Sequence, residues 1–146
     1  MSARRKRKSC RHNAKGRSIG HHFMKLDDWF WDCEAWASLK PQVAMVYLTL
    51  LWRFNGHNNG KIGLSCRDAA KECHIGKEKA SAAFKELEAK GFIKCHYKGS
   101  FSQKQRNRAS EWELTAQPMG EKPATKDFMR WQAGPKIKHG PCSRPE

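Results

Sequence analysis

Between Ser65 and Ile93 the apolar residues follow a helical period, break, follow it again, and then change to a strand-like pattern; no other stretch constrains the fold as tightly. Ser65, with Asp68 three residues later, forms a capping box that launches a short helix through about Cys73, burying Ala69, Ala70 and Cys73. His74-Ile75-Gly76 interrupts the pattern. Ala80, Ala83, Phe84 and Leu87 then mark the inner face of a second helix, and Gly91 stands where a left-handed residue closes a helix C-terminus.

The flanking text fills in the rest of a domain. Trp29, Cys33 and Trp36 recur at helical spacing behind Asp27 and Asp28, which suit a helix start, and Phe30 widens that face. Leu39-Lys40-Pro41 breaks the run, and Pro41 suits the first position of another helix because no amide bond is lost there. Ala44, Tyr47, Leu48 and Leu51 give that helix its stripe, and the turn formers from Asn55 to Gly60 stop it near Phe54. Lys61 to Leu64 is a short strand candidate. Phe92 to Tyr97 and Glu111 to Thr115 read as two more strands, enclosing a loop longer than a tight hairpin requires and charged only by Lys98, Lys104, Arg106 and Arg108. The predicted order is helix, helix, strand, helix, helix, strand, long loop, strand: an α+β domain with a small antiparallel sheet.

A chain of 146 residues has room for one such domain and its tails. Residues 1–22 hold Arg4, Arg5, Lys6, Arg7, Lys8, Arg11, Lys15 and Arg17 without one acidic residue, and such a block repels itself and has little to bury. A disordered basic arm is expected there, the domain over 23–115, and a mostly flexible tail over 116–146 in which the aromatic segment 125–131 is free to dock back. No apolar run reaches the roughly 18 to 20 residues that cross a bilayer, the longest being Val43 to Trp52. The basic start also lacks the apolar block of a secretory signal, so a soluble cytoplasmic chain with no membrane partner is expected.

Charge selects the partner. With 29 Lys and Arg against 14 Asp and Glu, the net charge is +15, and a polyanion is the natural ligand of such a surface. Enzymatic chemistry finds no foothold: there is no glycine-rich phosphate loop, no marked nucleophile and base, and no cluster of carboxylates for a metal-dependent nuclease, so neither catalysis nor a cofactor is expected. The six cysteines contain no Cys-x-x-Cys pair, and Cys66 and Cys73 lack zinc spacing, which favours reduced thiols over a metal site. Six tryptophans could serve as base-stacking platforms, but Trp29, Trp36 and Trp112 fall on faces assigned to the core, leaving Trp31 and Trp52 off the main stripes.

Ala69-Ala70, Ile75-Gly76, Ala83-Phe84-x-x-Leu87-Glu88 and Lys90-Gly91-Phe92-Ile93 together resemble the winged helix-turn-helix superfamily, in particular GntR- and MarR-type regulators and the winged N-terminal domains of plasmid and phage replication proteins. The resemblance covers roughly Leu26 to Thr115. It departs from the pattern where Lys40 and Gly76 stand at helix starts that such families often cap with Ser. It implies that the helix from Lys77 to Lys90 reads the major groove of double-stranded DNA, with Lys77, Lys79 and Ser81 at the positions that reach base edges. Lys85, the loop residues Lys98, Lys104, Arg106 and Arg108, and Arg4, Arg5, Lys6, Arg7 and Lys8 of the arm would meet phosphates. The function implied is sequence-specific DNA binding by a nucleoid-associated transcriptional regulator; the alternative is a replication or recombination accessory or initiator protein of a plasmid, phage or other mobile element. A homodimer and a protein partner on the aromatic segments both remain open.

Overall fold

The computed structural model describes residues 23–99 and 108–134. Arg4, Arg5, Lys6, Arg7, Lys8, Lys104 and Arg106 lie outside the described residues.

The first helical stretch is two single turns rather than one helix: α1, Asp28–Trp31, and α2, Glu34–Ala37. Cys33 between them is extended, and its Sγ accepts the Trp36 amide at 3.4 Å, so it caps the second turn. That break resets the helical phase. Phe30 points into the core at 3% exposure, whereas Trp29 is 37% exposed, which corrects the expectation that Trp29 is a core residue.

Helix α3, Pro41–Arg53, begins with Pro41 in its first turn and takes no side-chain cap from Lys40. Its buried residues are Val43, Val46, Tyr47, Leu50 and Leu51, while Ala44 and Leu48 are half-buried. The inner face is thus turned about one residue from the stripe of Ala44, Tyr47, Leu48 and Leu51. A helix apolar on nearly every side does not by itself say which sector turns inward; the aromatic rings that seat against Tyr47 make the choice.

After β1, Ile62–Gly63, the Ser65 hydroxyl accepts the Asp68 amide at 3.1 Å and starts α4, Cys66–Glu72. Helix α5, Lys77–Ala89, follows the turn, and Gly91 at φ 81° closes it. The Gly91 amide donates to Glu88 O and the Phe92 amide to Leu87 O at 3.1 and 2.9 Å, the paired bonds of a Schellman cap. Strands β2, Ile93–Tyr97, and β3, Glu111–Leu114, complete an antiparallel sheet in the order β1-β3-β2, with a register shift between Cys95 and Tyr97.

Two aromatic assemblies hold these layers together. Phe84 of α5 stacks on Trp112 of β3 with centroids 4.6 Å apart and planes 5° from parallel, and the Trp112 indole N–H donates to Leu64 O at 3.0 Å. On the other side, Phe92 and Phe128 stack at 4.7 Å, with Phe30 edge-on to both and Tyr47 edge-on to Phe92. Burying one such ring contributes about 1.5–3 kcal/mol, and ring pairs add about 0.5–1.5 kcal/mol beyond area.

Phe128 reaches that cluster from a 3-10 turn, Asp127–Arg130, which is clasped from several directions. Lys94 pairs with Asp127 at 2.7 Å, and that ammonium holds the Asp127 carboxyl below its ordinary range and is itself raised. Lys126 lies over Trp29 at 4.2 Å and Lys90 over Trp131 at 4.9 Å. The chain passes so close to Gly91 that a Cβ there would lie 3.0 Å from the Phe128 amide nitrogen. Among the described residues no helix is long and apolar enough to cross a membrane.

Candidate nucleic-acid interface

The α4–α5 pair sets the geometry of the site. His74 adopts φ 54°, a left-handed conformation that lets the chain reverse within three residues, and the Ile75 amide donates back to Ala70 O at 3.0 Å. Gly76 is extended and offers no capping side chain, so the first turn of α5 presents backbone N–H groups without a side-chain cap. Ala80 and Ala83 are small enough to bring α5 close to its neighbours, and with Phe84 and Leu87 they anchor its inner face.

The opposite side of α5 is solvent. Lys77, Lys79 and Lys85 are exposed and Ser81 is half-buried. None of the three lysines forms an ion pair with a described residue. At about 100° per residue, Lys77, Ser81 and Lys85 run along one side of the helix, while Lys79 lies about 200° round from Lys77, on the other flank. The three residues expected to reach bases therefore straddle α5 instead of forming one row, and Lys85 belongs with Lys77 and Ser81. Glu78, also exposed, stands between the flanks; an acidic residue suits a helix N-terminus and opposes a polyanion.

The β2–β3 hairpin has a tightly built base. The Gly99 amide donates to Ser110 Oγ at 3.1 Å, and a Cβ on Gly99 would lie 2.6 Å from Arg108 O, so only glycine fits. Arg108 Nε donates to Glu111 Oε1 at 3.0 Å, and its guanidinium sits over the Tyr97 ring at 4.8 Å. Arg108 is thus engaged within the hairpin, while Lys98 is exposed. Below them, His96 Nε2 lies 2.5 Å from Glu113 Oε2, and the Asn59 amide group, buried, donates to Leu114 O and Gln117 O at 3.0 Å.

Sequence reasoning passes over Arg67 and Lys71, both exposed on α4. Their i, i+4 spacing is the available signal, since it places both on one side of a helix. Composition also gives the positive charge as one quantity. The described residues carry 16 Lys and Arg against 13 Asp and Glu, a net of +3, so +12 of the +15 belongs to the rest of the chain.

Among the described residues no three His, Cys, Asp or Glu side chains gather as metal ligands would. Cys33, Cys66, Cys73 and Cys95 are free thiols, and burial raises the Cys95 thiol above its ordinary range. No family model matches the chain, and no curated protein or solved structure matches it.

Proposed function

We propose that the chain is a winged helix-turn-helix protein that binds double-stranded DNA in a sequence-specific manner and acts as a transcriptional regulator. The observation that carries this reading is α5. It is held on one side by Ala80, Ala83, Phe84 and Leu87 and offers lysines without ion pairs to described residues on the other. A helix with side chains is about 10–12 Å across and the major groove of B-DNA about 12 Å wide, so an outward-facing helix of this kind fits the groove. Lys77, Lys79 and Ser81 would reach base edges from the first two turns, Lys85 and Lys98 would meet phosphates, and the loop with Lys104 and Arg106 would follow the backbone as the wing.

The charge division assigns different tasks to different segments. With a net of +3, the described part of the chain would set orientation, and the cationic segments outside it would supply most of the attraction to phosphate. Fluorescence anisotropy with duplex, single-stranded DNA and RNA over a salt series tests the reading. Preference for duplex, with affinity falling steeply in salt, supports it; tighter binding of a single strand or a flat salt response overturns it. Mapping bound sites across a genome addresses the role: promoter sites support regulation, and a single origin or recombination site supports the accessory role in replication or recombination.

A further inference from the structure

We propose that Glu78 and Ala82, on the outermost ridge of α5, read a cytosine and the methyl group of a thymine in the major groove. The proposal rests on the DNA-binding reading and gives it a sequence. Taking about 100° per residue from Lys77, the buried residues Ala80, Ala83, Phe84 and Leu87 centre at about 290°, so the direction away from the core lies at about 110°. Glu78 stands at about 100°, Ala82 at about 140° and Lys85 at about 80°, and all three are exposed. Lys77 and Lys79 lie about 110° and about 90° to either side of the outward direction. In a groove they would approach along its two walls, and the ridge between them would face its floor. Glu78 and Ala82 belong to the first two turns, the part of a recognition helix that meets base edges.

A carboxylate on that ridge is not what attraction to phosphate selects. The chain carries a net charge of +15, yet the side chain aimed most directly outward from the first turn is acidic and forms no ion pair with a described residue. Repulsion from phosphate weakens its approach to every sequence. A hydrogen bond that one base supplies and the others withhold turns that cost into selection.

The donor pattern of the groove identifies the base. An ionised carboxylate only accepts hydrogen bonds. Guanine presents two acceptors, and thymine an acceptor beside its methyl group; adenine has a donor but sets an acceptor next to it, whereas cytosine offers its N4 amino group alone. Cytosine is therefore the favoured partner of Glu78. Ala82, one turn on, has only a methyl group to offer, which suits the methyl of thymine. Along the helix the two residues are about 6 Å apart, against about 3.4 Å between successive bases of a strand, so the two bases lie about two steps apart.

An acid in the first turn also favours the helix dipole, a role indifferent to base identity. Selection of sites from a random duplex library by the full chain, followed by titration of single-base variants of the selected site, separates the two roles. The parent is expected to prefer cytosine at one position by about five- to 150-fold, the usual effect of one mismatched base pair. Glu78→Gln, whose amide pairs with adenine N6 and N7, should move that preference to adenine and tighten binding to random duplex. Glu78→Ala should tighten it too and leave the position unselected. Deoxyuridine in place of the thymine should weaken the parent about fourfold, the loss of one buried methyl group. Thermal melts matching the parent confirm that each variant is folded. A parent that selects no duplex site overturns the DNA-binding reading and this assignment with it. A selected site whose bases are unchanged by Glu78→Gln leaves that reading intact and reduces Glu78 to a helix-end acid; a thymine that tolerates loss of its methyl group overturns the role of Ala82.

Discussion

Single residues decide how α5 is sealed at its C-terminus. Phe128 is fully buried against Phe92 and Phe30, and its truncation to Ala would open a cavity in the aromatic cluster. Phe128→Ala should destabilise the protein by about 3–5 kcal/mol, read from the midpoint of chemical denaturation with an unchanged slope. Gly91→Ala combines a left-handed φ with a Cβ 3.0 Å from backbone, so it too should destabilise, by about 1 kcal/mol or more. The Lys94–Asp127 pair behaves differently because both groups face solvent and are screened. Since the folded Asp127 carboxyl is depressed, its stabilisation is present above the ordinary carboxylate value of 3.8 and is lost as the pH falls through the lower, folded value. The small stability gap between the parent and Asp127→Asn should therefore be visible at neutral pH, shrink in high salt, and close in acid. A gap that persists at low pH would mean that the carboxylate charge contributes nothing.

At the scale of elements, α5 shows what periodicity can deliver. Its polar and apolar residues separate cleanly, so Ala80, Ala83, Phe84 and Leu87 are legible as the inner face, and all four are buried. The same reading misplaces the face of α3, because apolar residues surround that helix and the period carries no phase. It also misses the break at Cys33, where a capping thiol and an extended backbone divide a stretch that the spacing of Trp29, Cys33 and Trp36 joins. The candidate site is legible as a set of residues but only in part as an arrangement. The opposite flanks of Lys77 and Lys79 follow from the helical period, but nothing in a roll of basic residues conveys that Arg108 contacts Glu111 and Tyr97. On the proposed reading, Lys77→Ala and Lys79→Ala should each cost about 1–3 kcal/mol on a preferred duplex and relax base preference at different positions, since they approach the groove from different sides. Equal losses on preferred and random duplex would reduce both to phosphate contacts. Arg108→Ala should barely move the melting temperature, because its ion pair with Glu111 is solvent-exposed, and on the proposed reading should weaken binding to preferred and random duplex alike.

For the whole molecule, the uneven distribution of charge would govern how binding responds to solution conditions if the chain binds DNA as proposed. Removing residues 1–22 takes away eight Lys and Arg and none of the buried side chains described above. On the DNA-binding reading, the slope of log affinity against log salt should become shallower by up to about 7, at about 0.9 for each phosphate no longer neutralised. The melting temperature should barely move, and the ratio of preferred to random affinity should hold, because phosphate contacts do not identify sequence. An altered ratio would show that the segment itself reads bases.

The placement of Phe128 also bears on how the chain is made. The Phe92 ring emerges from synthesis 36 residues before the ring that covers it. At about 5–20 residues per second this leaves an interval of about 2–7 s in which Phe30, Tyr47 and Phe92 can gather but stay uncapped. A nascent chain stalled within that interval would lack the ring that covers Phe30 and Phe92 in the folded protein, and uncovered apolar surface of that kind favours aggregation.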